Sequence, residues 1–556
     1  MTGCAQPCGT LGTNAMLPAL AEDSGTILDV DVAGGEDGHA EVDARLHWMG
    51  SCQTTPPSLN KPQFQVTLDV PLLQLPTPSV GASSLELTTD DHEAIREYRT
   101  SFSKLYHTKN PRYSLFSVML TVAERSRIAM HMILALAGSE IDRKQGNQSQ
   151  NGGEEHQSAS RISKRKSRAL HHYSVALRLM ADAVGQDHGA EACGDVIDLD
   201  CILTALYLML LYEQMFGSRQ GISNHLAGAA IIVQHHCARI VQLKPRGPEG
   251  LRDEGTSQSR QQLAFSQTAQ PGSEVQISQY SARLLARLAL SDAAATSYGI
   301  GGEVIEALYK VLGLHLGDSA SLNLLDTFNS LDGYAVTLYR NVWGESYPPA
   351  ELADDVENRP VFAFYGAVLQ LRFIISQLSK TLLDSTGDAV AKMKSLASMH
   401  ATIQATGARF ADVLAASETL SLASDGSNRL VTNMRLVVPH YHAVVLEFQR
   451  LAAVRRPGFA LDETQRAALQ GIMDLAVQAF RHEGDKAMLR IAQPLFIVAL
   501  ETRDVLHREW VLKRFEGLGR FGKRFEQART ILLKTIAQQQ ALGRRVDIRE
   551  QFIPIG

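Results

Sequence analysis

Residues 196–216 read VIDLDCILTALYLMLLYEQMF, and this stretch decides the fold. From Cys201 to Tyr212 the chain is apolar on nearly every side of a helix, so no face is left for water and other helices must cover it. Asp200 and Glu213 close the run well short of the ~18 apolar residues that a membrane span needs, which predicts a buried helix at the centre of a soluble bundle. Just upstream, Leu170, Tyr173, Leu177, Met180 and Val184 recur at spacings of three and four, the period of one apolar stripe. The two segments are predicted to pack together, with Leu203, Leu206, Leu210 and Leu211 against Leu177 and Met180.

Outward from this pair, helical patterns follow one another. Thr89-Asp90-Asp91-His92-Glu93 has the chemistry of a helix start, its carboxylates facing the positive end of the dipole. Later segments are predicted at 224–243, 275–298 and 303–312, with Gly299-Ile300-Gly301-Gly302 turning one helix back on the next. After a turn at Pro348-Pro349, the pattern predicts helices at 362–383, 395–422, 436–454, 463–481, 494–515 and 525–542. Strand signals are nearly absent and no fixed-period repeat is present. The expected fold class is therefore all-α, a large multi-helix array of antiparallel helix pairs spanning 89–556. Residues 1–88, rich in Pro, Ser, Thr and Gly, read as a low-complexity and mostly disordered tail with at most a lone strand at 64–75. Polar inserts near 142–168 and 244–274 read as surface loops.

Composition excludes several functions. With 45% hydrophobic and 20% charged residues, global disorder is ruled out. A net charge of -5 gives the chain no general attraction to polyanions, so any nucleic-acid contact has to be local. Cys4, Cys8, Cys52, Cys193, Cys201 and Cys237 are too scattered for a disulfide framework or a structural zinc site, and reduced thiols are expected. The amino-terminal 25 residues carry no positive charge and no long apolar core, which predicts an intracellular chain. His171-His172, His235-His236 and the 440/442 pair have the wrong spacing to chelate one ion from a helix and read as surface or interface histidines. Asp354-Asp355 reads as part of a solvated loop. No phosphate-binding glycine loop, nucleophile elbow or HExxH sequence is present. No metal, cofactor or catalytic residue is predicted. The one concentrated basic run, Arg161, Lys164, Arg165, Lys166 and Arg168, reads equally as a nuclear-import or phosphate-contact patch and as a solvated loop end leading into the next helix.

Taken in order, a set of segments resembles successive landmarks of the fungal-specific transcription factor domain of zinc binuclear cluster regulators. They are NPRYSLFSVMLTVAERSRIAMHMILALAGSE (110–140), HHYSVALRLMADA (171–183), ALYLMLLYEQMFG (205–217), HLAGAAIIV (225–233), LLARLALSDAAATSYGIGG (284–302) and VWGESYPPAEL (342–352). The end of the chain, PLFIVALETRDVLHREWVLKRFEGLGRFGKRFEQARTILLKTIAQQQALGRRVDIRE (494–550), is similar to the close of that domain. The resemblance implies an all-α regulatory domain, a nuclear location, and control of a metabolic or biosynthetic gene set through a protein partner or small-molecule effector, with a homodimer as a further expectation. The family's cluster has six cysteines close together followed by basic residues, whereas Cys4, Cys8 and Cys52 have almost no Lys or Arg between them. Direct DNA reading by this chain is thus not expected: an upstream segment supplies it, a partner does, or the domain has been reused. The alternative is an enzyme on the same helical scaffold acting on an apolar metabolite, such as an isoprenoid cyclase-like protein; Asp90-Asp91 bears only a faint likeness to the magnesium-binding aspartates of such enzymes and reads as an N-cap.

Overall fold

The computed structural model describes residues 85–106, 108–149, 155–186, 198–237, 240, 264–265, 277–313, 324–383, 389–453 and 460–548. The expected tail lies outside the described residues up to position 84, as does the insert 244–274 apart from Ala264 and Phe265. Among the described residues helices follow helices with no β-strand, as the pattern predicts.

The first set comprises α1 (Thr89–Glu97), prolonged by a π turn to Phe102 and a last turn to Tyr106, then α2 (Leu115–Ala123), α3 (Arg127–Ser149), α4 (Glu155–Gln186), α5 (Leu199–Phe216) and α6 (Arg219–His235). It continues with α7 (Gln279–Thr296), α8 (Glu303–Gly313), α9 (Leu324–Tyr334) and α10 (Leu338–Trp343). The second set comprises α11 (Pro349–Leu383), α12 (Ala389–Arg409), α13 (Ala411–Glu418), α14 (Arg429–Ala453) and α15 (Glu463–Glu483). It closes with α16 (Asp485–Arg490), α17 (Ala492–Glu501), α18 (Val505–Leu518) and α19 (Lys523–Leu542).

Helix α5 is the centre of the largest core. It is covered by α2, α3, α4, α6 and α7, and Leu203, Leu206, Leu210 and Leu211 are all buried beside Met180 and Leu177 as expected. Burial on this scale, about 25 cal/mol per Å² of apolar surface, is the main stabilising term of the array. Helix α5 and the helix beginning at Pro349 are each long and apolar enough to cross a membrane, but 72% of each apolar window is covered by the bundle. A second core joins α14 to α15–α19, and a third joins α11, α12 and α14.

Several local expectations are corrected. The polar insert 142–168 is mostly helix: α3 runs to Ser149 and α4 starts at Glu155, because Lys, Arg, Gln and Glu are good helix formers whatever their polarity. On α4 the stripe is turned, leaving Leu170 47% exposed while Ala169, His172 and Ala176 face inward. A methyl group built on Gly138 of α3 would lie 3.4 Å from the Ala169 Cβ, so it is small residues that let these two helices approach. His172 and His440 are buried, not at the surface. Pro349 opens α11, which places Asp354 and Asp355 on a helix; Pro360, inside it, reads in sequence as a breaker and hid its first three turns. The helix expected at 395–422 divides at Phe410, and that at 494–515 divides at Thr502–Asp504, where the Asp504 carboxylate caps α18.

The turn at 299–302 acts as expected, and its chemistry is specific. Asp292 of α7 accepts backbone hydrogen bonds from Gly302 (2.8 Å), Val304 (2.9 Å) and Ile305 (3.0 Å), capping α8 from a neighbouring helix. Burial pushes the Asp292 carboxyl up to about 6 in spite of these donors. Gly301 sits at φ +77°, and a Cβ there would meet the Asp292 carbonyl oxygen at 2.7 Å. Gly301→Ala is expected to lower unfolding free energy by about 1–3 kcal/mol, measured by chemical denaturation. Leu206→Asp strands a charge in the main core and is expected to abolish the cooperative thermal transition.

Candidate functional site

The basic run falls on the first half of α4. The side chains of Arg161 and Lys164 lie outside the description, and Lys166 is exposed. Arg165 and Arg168 turn toward the acidic start of α1. Arg165 pairs with Glu93 at 2.8 Å and Arg168 with Asp91 at 2.8 Å, while Asp90 lies within 3.8 Å and 3.5 Å of the two guanidinium groups. The predicted helix start is present one residue earlier: Thr88 is the N-cap, and Thr88 and Asp91 form a reciprocal capping box. Two of the five cations are therefore already neutralised, and a phosphate would have to compete with three carboxylates for them.

Beneath this surface pair lies a buried relay that sequence reasoning missed. His172 of α4 contacts Asp91 through Nε2 (3.2 Å) and His131 of α3 through Nδ1 (2.9 Å between the two Nδ1 atoms). With Nε2–H donating to the carboxylate, His172 Nδ1 must accept, which assigns the proton of the second contact to His131 Nδ1. Burial alone would raise the Asp91 carboxyl, but the Thr88 donors, Arg168 and His172 outweigh it and hold the group below the ordinary carboxylate range. Burial, with neighbouring His172 and Arg127, pushes His131 down to about 4; burial also lowers His172, though Asp91 opposes this. Both rings are thus neutral at pH 7, and the relay ties α1 to α3 and α4.

Two further polar centres hold the second half of the array. Lys109, almost completely buried, donates to Asp355 at 2.5 Å, lies 3.3 Å from Glu351, and sits over the rings of Tyr339 and Tyr347. Arg429 of α14 bonds Asp354, so the acidic pair anchors two cations. Deeper, Arg372 of α11 contacts His440 Nδ1 (3.2 Å) and Gln493, and Arg450 of α14 contacts Glu501 and Gln539. Burial, and the positive charge of Arg372, push His440 down to about 3. The available sequence signal for these groups was a lone arginine inside an apolar helical stretch, LQLRFII and LEFQRLAA.

Residues 95–267 match the family described as the fungal specific transcription factor domain. The chain carries a fungal-specific transcription factor domain. The matched span of the domain opens inside α1 and contains α2–α6, with the covered α5 in its middle. The domain belongs to non-enzymatic transcriptional regulators, a family generally nuclear. Asp90 and Asp91 sit in the first turn of α1, where Asp91 closes the capping box with Thr88 and pairs with Arg168, as the helix-start reading expects. The landmarks from 284 onward lie beyond the matched span of the domain. No curated protein and no solved structure matches the chain. Among the described residues, no three His, Cys, Asp or Glu side chains are grouped to hold a metal ion.

Arg168→Ala leaves the buried Asp91 carboxylate short of its cation and is expected to cost about 1–3 kcal/mol of stability in urea titrations. A histidine whose pKa is depressed on folding stabilises above its unfolded value and loses that contribution as pH falls. For His131 the window runs from 6.5 down to about 4. His131→Asn is expected to flatten the loss of urea midpoint across that window without removing it, since His172, His225, His440 and His442 are lowered by burial too.

Proposed function

We propose that this chain is a fungal-type regulator that acts in the nucleus on a metabolic or biosynthetic gene set, through a protein partner or small-molecule effector engaged by its helical domain. The observation that carries the reading is the family match at 95–267, which falls on a closed bundle built around α5. A body of this kind offers contact surfaces through which a regulator engages partners or effectors. DNA targeting is assigned to a protein partner; Cys201 and Cys237 are free thiols, and Cys4, Cys8, Cys52 and Cys193 lie outside the described residues. No membrane partner belongs to this reading.

Tethering the full chain to a heterologous DNA-binding domain upstream of a reporter tests the reading. A several-fold change in reporter output, lost in the Leu206→Asp chain, is expected; output equal to the tether alone would overturn it. The basic run is read as the import determinant. Arg161→Ala, Lys164→Ala and Lys166→Ala together are expected to lower the nuclear fraction of a fluorescent fusion. An unchanged fraction would leave Arg165 and Arg168 as braces for α1 and nothing more.

A further inference from the structure

Within the basic run stands a hydroxyl. Ser167 is exposed on α4, with Lys164, Arg165 and Lys166 at the three positions before it and Arg168 directly after it. No other serine or threonine of the sequence has cations at all four of these positions; Ser163, one turn earlier, has Arg161 alone among the three residues before it. Kinases select their substrates by charge pattern, and those of the basophilic class take cations just before the acceptor hydroxyl. The setting of Ser167 has that pattern.

A helical segment has to open before it can lie in a kinase cleft, and this one holds little that resists opening. From Glu155 to Arg168 the only apolar residues are Ala159 and Ile162, so few apolar contacts are lost when this half of α4 unwinds. Opening breaks the pairs of Arg165 with Glu93 and Arg168 with Asp91 on α1, while Lys166 and Ser167 already face solvent. We propose that Ser167 is the phosphorylation site of a basophilic serine/threonine kinase, and that its phosphate switches off the import determinant. Ser167 Oγ attacks the γ-phosphorus of ATP and the bond to the bridging oxygen breaks; ADP leaves, and the hydroxyl proton passes to the kinase's catalytic base. The phosphate brings about two negative charges at pH 7 into a run of five cations, which weakens its attraction to an acidic receptor surface. The proposal deepens the import reading above and rests on it for the change of location.

The test begins with the purified full chain, magnesium and ATP, incubated with the catalytic subunit of cyclic-AMP-dependent kinase or with an acidophilic kinase, then intact mass measurement and fragment mapping. Transfer of one phosphoryl group to Ser167 by the basophilic enzyme alone is expected, absent in Ser167→Ala and slowed several-fold when Lys164→Gln and Arg165→Gln are combined. In cells, a fluorescent fusion carrying Ser167→Glu is expected to be less nuclear than the wild type, while the size-matched neutral Ser167→Gln keeps the wild-type distribution. Both substitutions fall on an exposed helical position, and both chains are expected to keep the thermal transition of the wild type. Absence of transfer to Ser167, transfer to other hydroxyls in its place, or a Ser167→Glu fusion as nuclear as the wild type would overturn the proposal. If the triple alanine chain of the preceding section loses nuclear signal in the same cells, such a result leaves the import reading standing; if it does not, the import reading itself has failed.

Discussion

A helix with no polar face has to be wrapped, and α5 imposes that requirement on everything around it. Its leucines are buried on several sides at once, which draws α2, α3, α4, α6 and α7 into contact with it. The close approach of α3 and α4 at Gly138 and Ala169 follows from the same demand, since bulkier residues there would hold the helices apart and open gaps beside α5.

Once helices pack this closely, the charged side chains caught between them must find partners in place of water. Arg168 with Asp91, Lys109 with Asp355, Arg429 with Asp354 and Arg450 with Glu501 each join segments distant in sequence. The net stability from such pairs is small, because desolvation offsets most of the Coulomb attraction. Their effect lies in placement: a helix that slips by one turn loses its counter-charge, and leaving either partner buried alone is expensive. Asp292 does the same for backbone, holding the start of α8 with a carboxylate from α7.

The same logic sets how far each cation is satisfied. At the α1–α4 contact the cations are satisfied by the first turn of α1, so the basic run is only partly free for any other molecule. At the α11–α14 junction the arginines are satisfied on their terminal nitrogens only, and the remaining donors border an open space.

How much of this was readable in the chain follows from the range of the forces involved. Helical periodicity, the apolar girth of α5, the cap at Thr88–Asp91 and the glycine turn at 299–302 are set by neighbours a few residues apart, so the sequence alone determined the all-α class and the central core. The boundaries at Pro349, Ser149 and Phe410 escaped, because proline and polar residues are ambiguous until packing decides whether a helix continues through them. The relay from Asp91 through His172 to His131, and the meeting of Arg372, Arg450, Glu447 and Asp547, were decided only by the tertiary structure. Most of these groups come from segments tens to hundreds of residues apart, and no local pattern records which buried charge will face which; only tertiary packing brings them within a few ångströms.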